Sequence, residues 1–164
     1  MVRIRTATAG DADAIWRIFH AVVVAGDTYT FEADTARPEA EAYFFGDRIT
    51  SFLAELDGHV VGMYKLIANR DGRGSHVANA SFMVDPRVQG HGVGRAMGEH
   101  CLREARRAGY LAMQFNFVVS TNTAAVALWQ RLGFTIVGTA PNAFRHSTLG
   151  LVDAYVMHRF LEDI

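Results

Sequence analysis

The residues richest in possible chemistry form one run: Val84-Asp85-Pro86-Arg87-Val88-Gln89-Gly90-His91-Gly92-Val93-Gly94-Arg95. An apolar stretch ends at Val84, Pro86 interrupts it, and glycines at 90, 92 and 94 lead into a helical pattern. Glycine lets a backbone come close to a ligand and take up angles that side chains forbid. Free N–H groups at a helix start, with the helix dipole behind them, favour an anion. The run is therefore either a phosphate cradle or a glycine-rich structural turn. Two common phosphate loops do not fit it. A Walker loop ends in Gly-Lys-Ser/Thr, and here Arg95 follows Gly94. A dinucleotide fingerprint needs glycine where Arg95 stands and a place after the chain's first strand.

A second group of candidates is polar and sits in apolar surroundings. Strand alternation over 77–84 puts Asn79 and Ser81 on one face, and over 111–119 it puts Gln114 and Asn116 on one face with Phe115 and Phe117 on the other. Buried amides need partners. Asn79 and Asn116 either satisfy each other and the backbone, or they face a ligand. Cys101 reads as a small helix residue, because a reactive thiol needs a lowered pKa. The seven histidines show no metal-ligand spacing such as His-x-x-x-His, so no metal is expected.

The elements that must position these residues follow from periodicity. Val2–Thr6 reads as a strand, and Asp11–Val24 reads as a helix with Ile15, Ile18, Phe19 and Val22 at helical spacing and Gly26 as its stop. Thr28–Thr35 is a polar and aromatic loop, and a short helix runs from Pro38 to about Asp47. Ser51–Leu56 and Val60–Ala68 form a hairpin around Asp57-Gly58, followed by a turn at 69–75 and a strand at 77–84. Gly92–Arg107 and Asn122–Leu132 are helices, and Leu111–Val119, Phe134–Thr139 and Asp153–Arg159 are strands. Hairpins in the first half and strand–helix–strand alternation in the second predict a mixed α/β sheet.

Composition bounds the function. At 164 residues the chain is read as a single domain, 1–164. Sixteen Lys and Arg against 17 Asp and Glu leave no basic field for nucleic acid. Lys65 is the only lysine, so the positive charge is almost wholly arginine, which suits phosphate. One cysteine excludes an intrachain disulfide. The charged start and the short apolar run Ala21–Ala25 give no membrane segment. A cytoplasmic protein is expected.

With the loop, a second motif decides the resemblance. Val84–Arg95 is similar to motif A of the GCN5-related N-acetyltransferases, V-x-P-x-x-Q/R-G-x-G-x-G/A. Asn122-Thr-Ala-Ala-Val-Ala-Leu-Trp-Gln-Arg-Leu-Gly-Phe134 is similar to that family's N-x-x-A-x-x-L-Y-x-x-x-G-F. Two motifs in the right order, with the N-terminal strand and helix, carry the resemblance over nearly the whole chain. It implies a largely antiparallel sheet with a central, splayed parallel strand pair and flanking helices.

The resemblance also implies acetyl-CoA as co-substrate, held through its pyrophosphate by the amides of Gln89, Gly90, His91, Gly92, Val93, Gly94 and Arg95. The pantetheine arm would lie along the strand ending at Val84, the Phe82 N–H would face the thioester carbonyl, and Asn122 would fix the arm from the next helix. Trp129 replaces the family's usual tyrosine. An indole N–H donates a hydrogen bond but is no practical acid, so Trp129 is expected to pack against the pantetheine or the core.

A narrower likeness concerns the acceptor. Asn79-Ala-Ser-Phe82 and Asn116-Phe-Val-Val-Ser-Thr-Asn122 resemble the fungal acetyltransferases of proline analogues, which implies that Asn79 and Asn116 hold an imino-acid-like acceptor beside Phe82. Thr28-Tyr-Thr-Phe-Glu32 resembles the phosphinothricin acetyltransferases. Tyr29, Phe31 and Phe144 look like walls of a closed pocket. Both cues point to a small amine or amino-acid acceptor. The alternatives are a protein or peptide N-acetyltransferase and a non-catalytic acyl-CoA-binding module. Base candidates are Glu32, Asp34, His146, Asp153 and Tyr155, with ordered water as another route for the proton. A homodimer is expected by family analogy.

Overall fold

Asp57 and Gly58 adopt positive φ angles of 52° and 80°, and Leu56 pairs directly with His59 across them. This two-residue turn matches the right-handed twist of its flanking strands. It joins β2 (Thr50–Leu56) to β3 (His59–Ala68) in a computed structural model that describes residues 1–164. β1 (Arg3–Thr6) pairs with β2, and β4 (Val77–Val84) pairs with β3, all antiparallel.

The seven strands run in the order β1-β2-β3-β4-β5-β7-β6. β5 (Ala112–Val119) lies parallel to β4, but only Val77↔Ala112 and Ala78↔Met113 are paired. Beyond those positions the two central strands diverge. On the far side, β7 (Gly150–Phe160) pairs antiparallel with β5 and with β6 (Thr135–His146). The mixed sheet and its splayed parallel pair agree with the sequence reading.

Helices cover both faces. α1 (Ala12–Ala25) and α2 (Arg37–Phe44) bury Ile15, Ile18, Phe19, Ala40 and Phe44 against Leu53, Met63 and Met83. α3 (Val93–Arg107) and α4 (Thr123–Arg131) pack on the opposite face, where Val93, Met97, Cys101 and Trp129 meet Phe52, Tyr64, Met113 and Phe115. No helix is long and apolar enough to cross a membrane.

Three local expectations are corrected. β6 runs well past 139, continuing through Pro141 and Asn142 to His146, and β7 begins at Gly150 rather than Asp153. The register shifts between Ala140 and Phe144, Asn142 takes φ 53°, and its N–H donates to Asp153 Oδ1 at 2.9 Å. A proline is tolerated at such a bulge on an outer strand, and β6 is the outer strand here. Second, the short helix ends at Phe44 rather than near Asp47. Third, Phe115 and Phe117 do not share a face. The register of β5 shifts between Phe115 and Val118; Phe115 joins Phe82, Trp129 and Phe134, whereas Phe117 contacts Phe144 and is 40% exposed.

Gly98 sets how closely α3 and α4 approach. A Cβ there would lie 2.6 Å from Leu132 Cδ1 and 3.1 Å from Trp129 Cζ3. Alanine gains about 1 kcal/mol over glycine in a helix interior, but overpacking a core costs about 1–3 kcal/mol. Gly98→Val adds bulk and gives up part of that helix preference. It is expected to lower the unfolding free energy by ~1–3 kcal/mol in urea titration; an unchanged midpoint contradicts the close packing.

Candidate active site

The hydrogen-bond phase of β4 fixes what faces the splay. Asn69 N–H donates to the Val77 carbonyl, and Asp85 N–H donates to the Val61 carbonyl. Antiparallel ladders alternate with a period of two, so the odd-numbered residues of β4 bond to β3. The N–H and C=O groups of Ala80, Phe82 and Val84 then point towards β5, where no strand pairing meets them. One of these carbonyls is taken: Tyr29 Oη donates to Phe82 O at 2.6 Å. The Phe82 N–H on the same side stays available.

The glycine loop continues from this strand. Asp85 is almost fully buried and anchors it, accepting from Arg87 N at 3.0 Å and pairing with the Arg87 guanidinium and with Arg17 of α1. Arg87 and Arg17 hold the Asp85 carboxyl well below the usual carboxylate range. From Gln89 to Arg95 no backbone N–H donates to any other group of the chain. Gly90 and Gly92 adopt φ of 85° and 76°, and a Cβ on either would meet nothing within 4 Å. His91 folds back onto the Val88 and Gln89 carbonyls and leaves the concavity open. The first helical hydrogen bond is donated by Ala96, so α3 opens with its orphan N–H groups directed outward.

An aromatic plug fills the splay on the α3/α4 side. Phe82 and Phe115 each lie 4.8 Å from Trp129, and 6.0 Å from each other. Trp129 is buried among them, as a packing residue would be. Asn122 caps α4, its Oδ1 accepting from Ala125 N at 3.3 Å. Next to it, Thr121 Oγ1 is buried without a hydrogen-bond partner. Such orphans are uncommon among buried polar groups.

The opposite face of the splay is polar. Asn116 Nδ2 donates to Asn69 Oδ1 at 2.6 Å, and Gln114 Nε2 donates to Asn116 Oδ1 at 3.0 Å. Of the two alternatives for Asn79 and Asn116, mutual satisfaction is not what the side chains adopt: Asn69, which the sequence places in a turn, is the partner of Asn116, and Asn79 makes no side-chain hydrogen bond. Tyr29, Phe31 and Tyr43 form one wall, with ring centroids 6.5 and 5.0 Å apart in turn. Phe144 is not part of it and stands instead against Phe117. The turn after β6 is tied to the end of α1, with Ser147 N–H and Oγ donating to the Gly26 and Ala25 carbonyls.

Two base candidates have structural duties. His146 Nδ1 accepts from Thr148 N and Leu149 N, and Asp153 holds the β6 bulge. Glu32 and Asp34 lie exposed on a shallow acidic depression that also includes Glu39. Tyr155 is half-buried against the α3/α4 core. None of them is placed beside the Phe82 amide by a hydrogen bond.

A family model described as "Acetyltransferase (GNAT) family" matches residues 15–134. The chain belongs to the GNAT acetyltransferase family. It is similar to N-acetyltransferase aca1 of Schizosaccharomyces pombe, 30% identical over 148 residues, covering 80% of this chain and 71% of that protein. It spans less than half the length of the mycothiol acetyltransferases it also matches. Among solved structures, a GCN5-related N-acetyltransferase from Kribbella flavida is 42% identical with a TM-score of 0.91, covering 97% of each chain. The yncA acetyltransferase of Salmonella typhimurium, solved with its cofactor acetyl-CoA, is 25% identical with a TM-score of 0.82, covering 99% of this chain and 95% of that one. The chain is an acetyl-CoA-dependent GNAT acyltransferase.

The site fits that co-substrate on its own geometry. The open concavity at Gly90 and Gly92, the unused amides from Gln89 to Arg95 and the orphaned Thr121 hydroxyl suit a diphosphate with a polar arm. A cleft of about 270 Å³ between α3 and α4, lined by Arg95, Leu128, Arg131 and Leu132, continues from the loop and offers cations with an apolar floor.

One residue of the polar face escaped the sequence reading. Lys65 is 7% exposed, donates to the Tyr43 carbonyl at 2.9 Å, lies 3.1 Å above the Tyr43 ring, and makes no ion pair. Its signal was a lone charge inside the apolar run 60–68. Burial pulls its pKa down to about 8. An amine whose folded pKa lies below its unfolded one binds fewer protons folded than unfolded between the two values, so stability rises with pH there. The wild type is expected to gain ~2–3 kcal/mol relative to Lys65→Met between about pH 8 and 10.5, read as the difference in their urea midpoints. A pH-independent difference contradicts a buried, titrating ammonium.

Proposed function

We propose that the GNAT acyltransferase moves acetyl from acetyl-CoA to the nitrogen of a small amino-acid-like amine. The carrying observation is the Phe82 amide, unpaired in the splay between a diphosphate-sized cradle and a half-buried polar face. Acetyl-CoA supplies the acetyl group as a thioester, a leaving group good enough to need hydrogen-bond support rather than a strong acid. In this reading Gln89–Arg95 grip the pyrophosphate through N–H groups. Ala80, Phe82 and Val84 receive the arm as an added strand would be received.

Phe82 N–H stabilises the charge that develops on the acetyl oxygen as the amine attacks. The N–C bond forms, the C–S bond breaks, and the amine's proton passes through water to the departing thiolate. Tyr29 holds the Phe82 carbonyl and with it the orientation of the strand at that point. Phe82, Phe115 and Trp129 close the α3/α4 side against water. Asn79 and Asn116 orient the acceptor from the other face, Asn116 set by Asn69 and Gln114. Asn122 caps α4 through Oδ1, which leaves its amide N–H groups for the arm.

The small acceptor is supported by the aromatic wall of Tyr29, Phe31 and Tyr43 on that side. The homodimer, expected by family analogy, is favoured by the outer strand β6, which exposes Ile136 and Val137.

Thiol release from acetyl-CoA over a panel of amino acids, imino acids, polyamines and peptides tests the reading. Turnover confined to small amines or amino acids supports it; turnover of peptides alone, or of nothing, contradicts it. Gly92→Val fills the cradle and is expected to weaken acetyl-CoA binding at least ~10-fold in calorimetry, the scale of one lost charge-assisted hydrogen bond. Asn116→Ala is expected to raise the acceptor KM with acetyl-CoA affinity unchanged.

A further inference from the structure

The polar face holds one cation that the proposed reaction does not use. Lys65 of β3 pairs in register with Ser81 of β4, the residue before Phe82. Both side chains lie on the α1/α2 side, with Met63 and Met83 behind them in the core. Tyr43 binds the pair from above: its carbonyl accepts from Lys65 Nζ at 2.9 Å and its hydroxyl shares a hydrogen bond with Ser81 Oγ at 2.7 Å. In front lie Ile67 and then Asn69 on the β3 side and Asn79 on β4, all half-buried.

We propose that Lys65 is the anchor for an acceptor carboxylate, so that the small acceptor is an amino acid carrying a free carboxyl group. The inference rests on the N-acetyltransferase reading above and specifies its acceptor. An ammonium has three donors and no acceptor, and only one of the three meets an oxygen, the Tyr43 carbonyl. No carboxylate of the chain lies within 4 Å of it. A buried, unpaired cation is costly, and its cost falls when an anion arrives.

The neighbouring groups suit that anion. Ser81 can donate while Tyr43 Oη donates to its Oγ, and the Asn79 amide is unengaged. The local alternative is that Lys65 serves only to cap α2, since its ammonium sits on a carbonyl of the last turn. A cap alone would be indifferent to the acceptor's charge. The lowered pKa of Lys65 fits either role and decides nothing.

The test compares acceptors matched except for the carboxyl group: amino acids of α, β and γ type, their carboxamides and the amines lacking the carboxyl carbon. Each is assayed by thiol release with wild type and with Lys65→Met. The wild type is expected to favour the carboxylates ~10–100-fold in kcat/KM, as one charge-assisted hydrogen bond implies. Lys65→Met is expected to remove that preference through KM while leaving carboxamide KM values and acetyl-CoA affinity within about twofold.

Turnover of amines and carboxamides as readily as carboxylates by the wild type overturns the anchor and leaves acetyl transfer standing. A uniform loss over all acceptors in Lys65→Met marks the residue as a cap and also overturns it. Acetyl-CoA binding with no amine acetylated overturns the reading beneath both.

Discussion

A β-strand that loses its neighbour must find another partner for its N–H and C=O groups, and the molecule is arranged around one such loss. β4 and β5 are held together only at Val77–Ala112 and Ala78–Met113. From there to Val84 every second residue of β4 presents backbone polarity to a gap. Buried backbone groups left unmet cost roughly 1–3 kcal/mol each, so the gap is a standing site for an extended polar ligand. The flanking features serve it. The aromatic plug of Phe82, Phe115 and Trp129 closes one side, Tyr29 satisfies one carbonyl from the other, and the glycine loop takes over where the strand ends.

The loop depends on charge as well as on glycine. Asp85 fixes the exit of β4 by bonding back to Arg87 N–H and by pairing with Arg17 of α1. That arrangement ties the cradle to the α1 side of the sheet as well as to α3. The cradle and the acceptor face are thus built from two different layers that meet at β4. Their common member is Phe82, whose side chain belongs to the α3/α4 core and whose carbonyl is held by Tyr29 from the α1/α2 side.

Much of this was legible in the residues. The Asp57-Gly58 turn, the Val84–Arg95 loop and the Asn122–Phe134 motif each rest on local chemistry, so sequence alone located them. What was missed depends on register. The bulges at 115–118 and 140–144 reassign faces, and alternation counted along a strand cannot reveal them; alternation alone puts Phe117 with Phe115 and ends β6 before Pro141 and Asn142, which look like a turn. Asn69 was invisible as the partner of Asn116 because it is brought there by the pairing of β3 with β4. Lys65 stood out as the only lysine, but its burial beneath Tyr43 is a tertiary fact.

Amide-resolved hydrogen exchange, with and without acetyl-CoA, measures the central claim most directly. The N–H groups of Ala80, Phe82 and Val84 and those from Gln89 to Arg95 are predicted to exchange quickly in the free protein and to slow when the co-substrate is added. Those of Asn79, Ser81 and Met83, already bonded to β3, should be slow in both states. Equal rates along β4 in the free protein, or no protection of the even positions and the loop at saturating acetyl-CoA, would contradict the account.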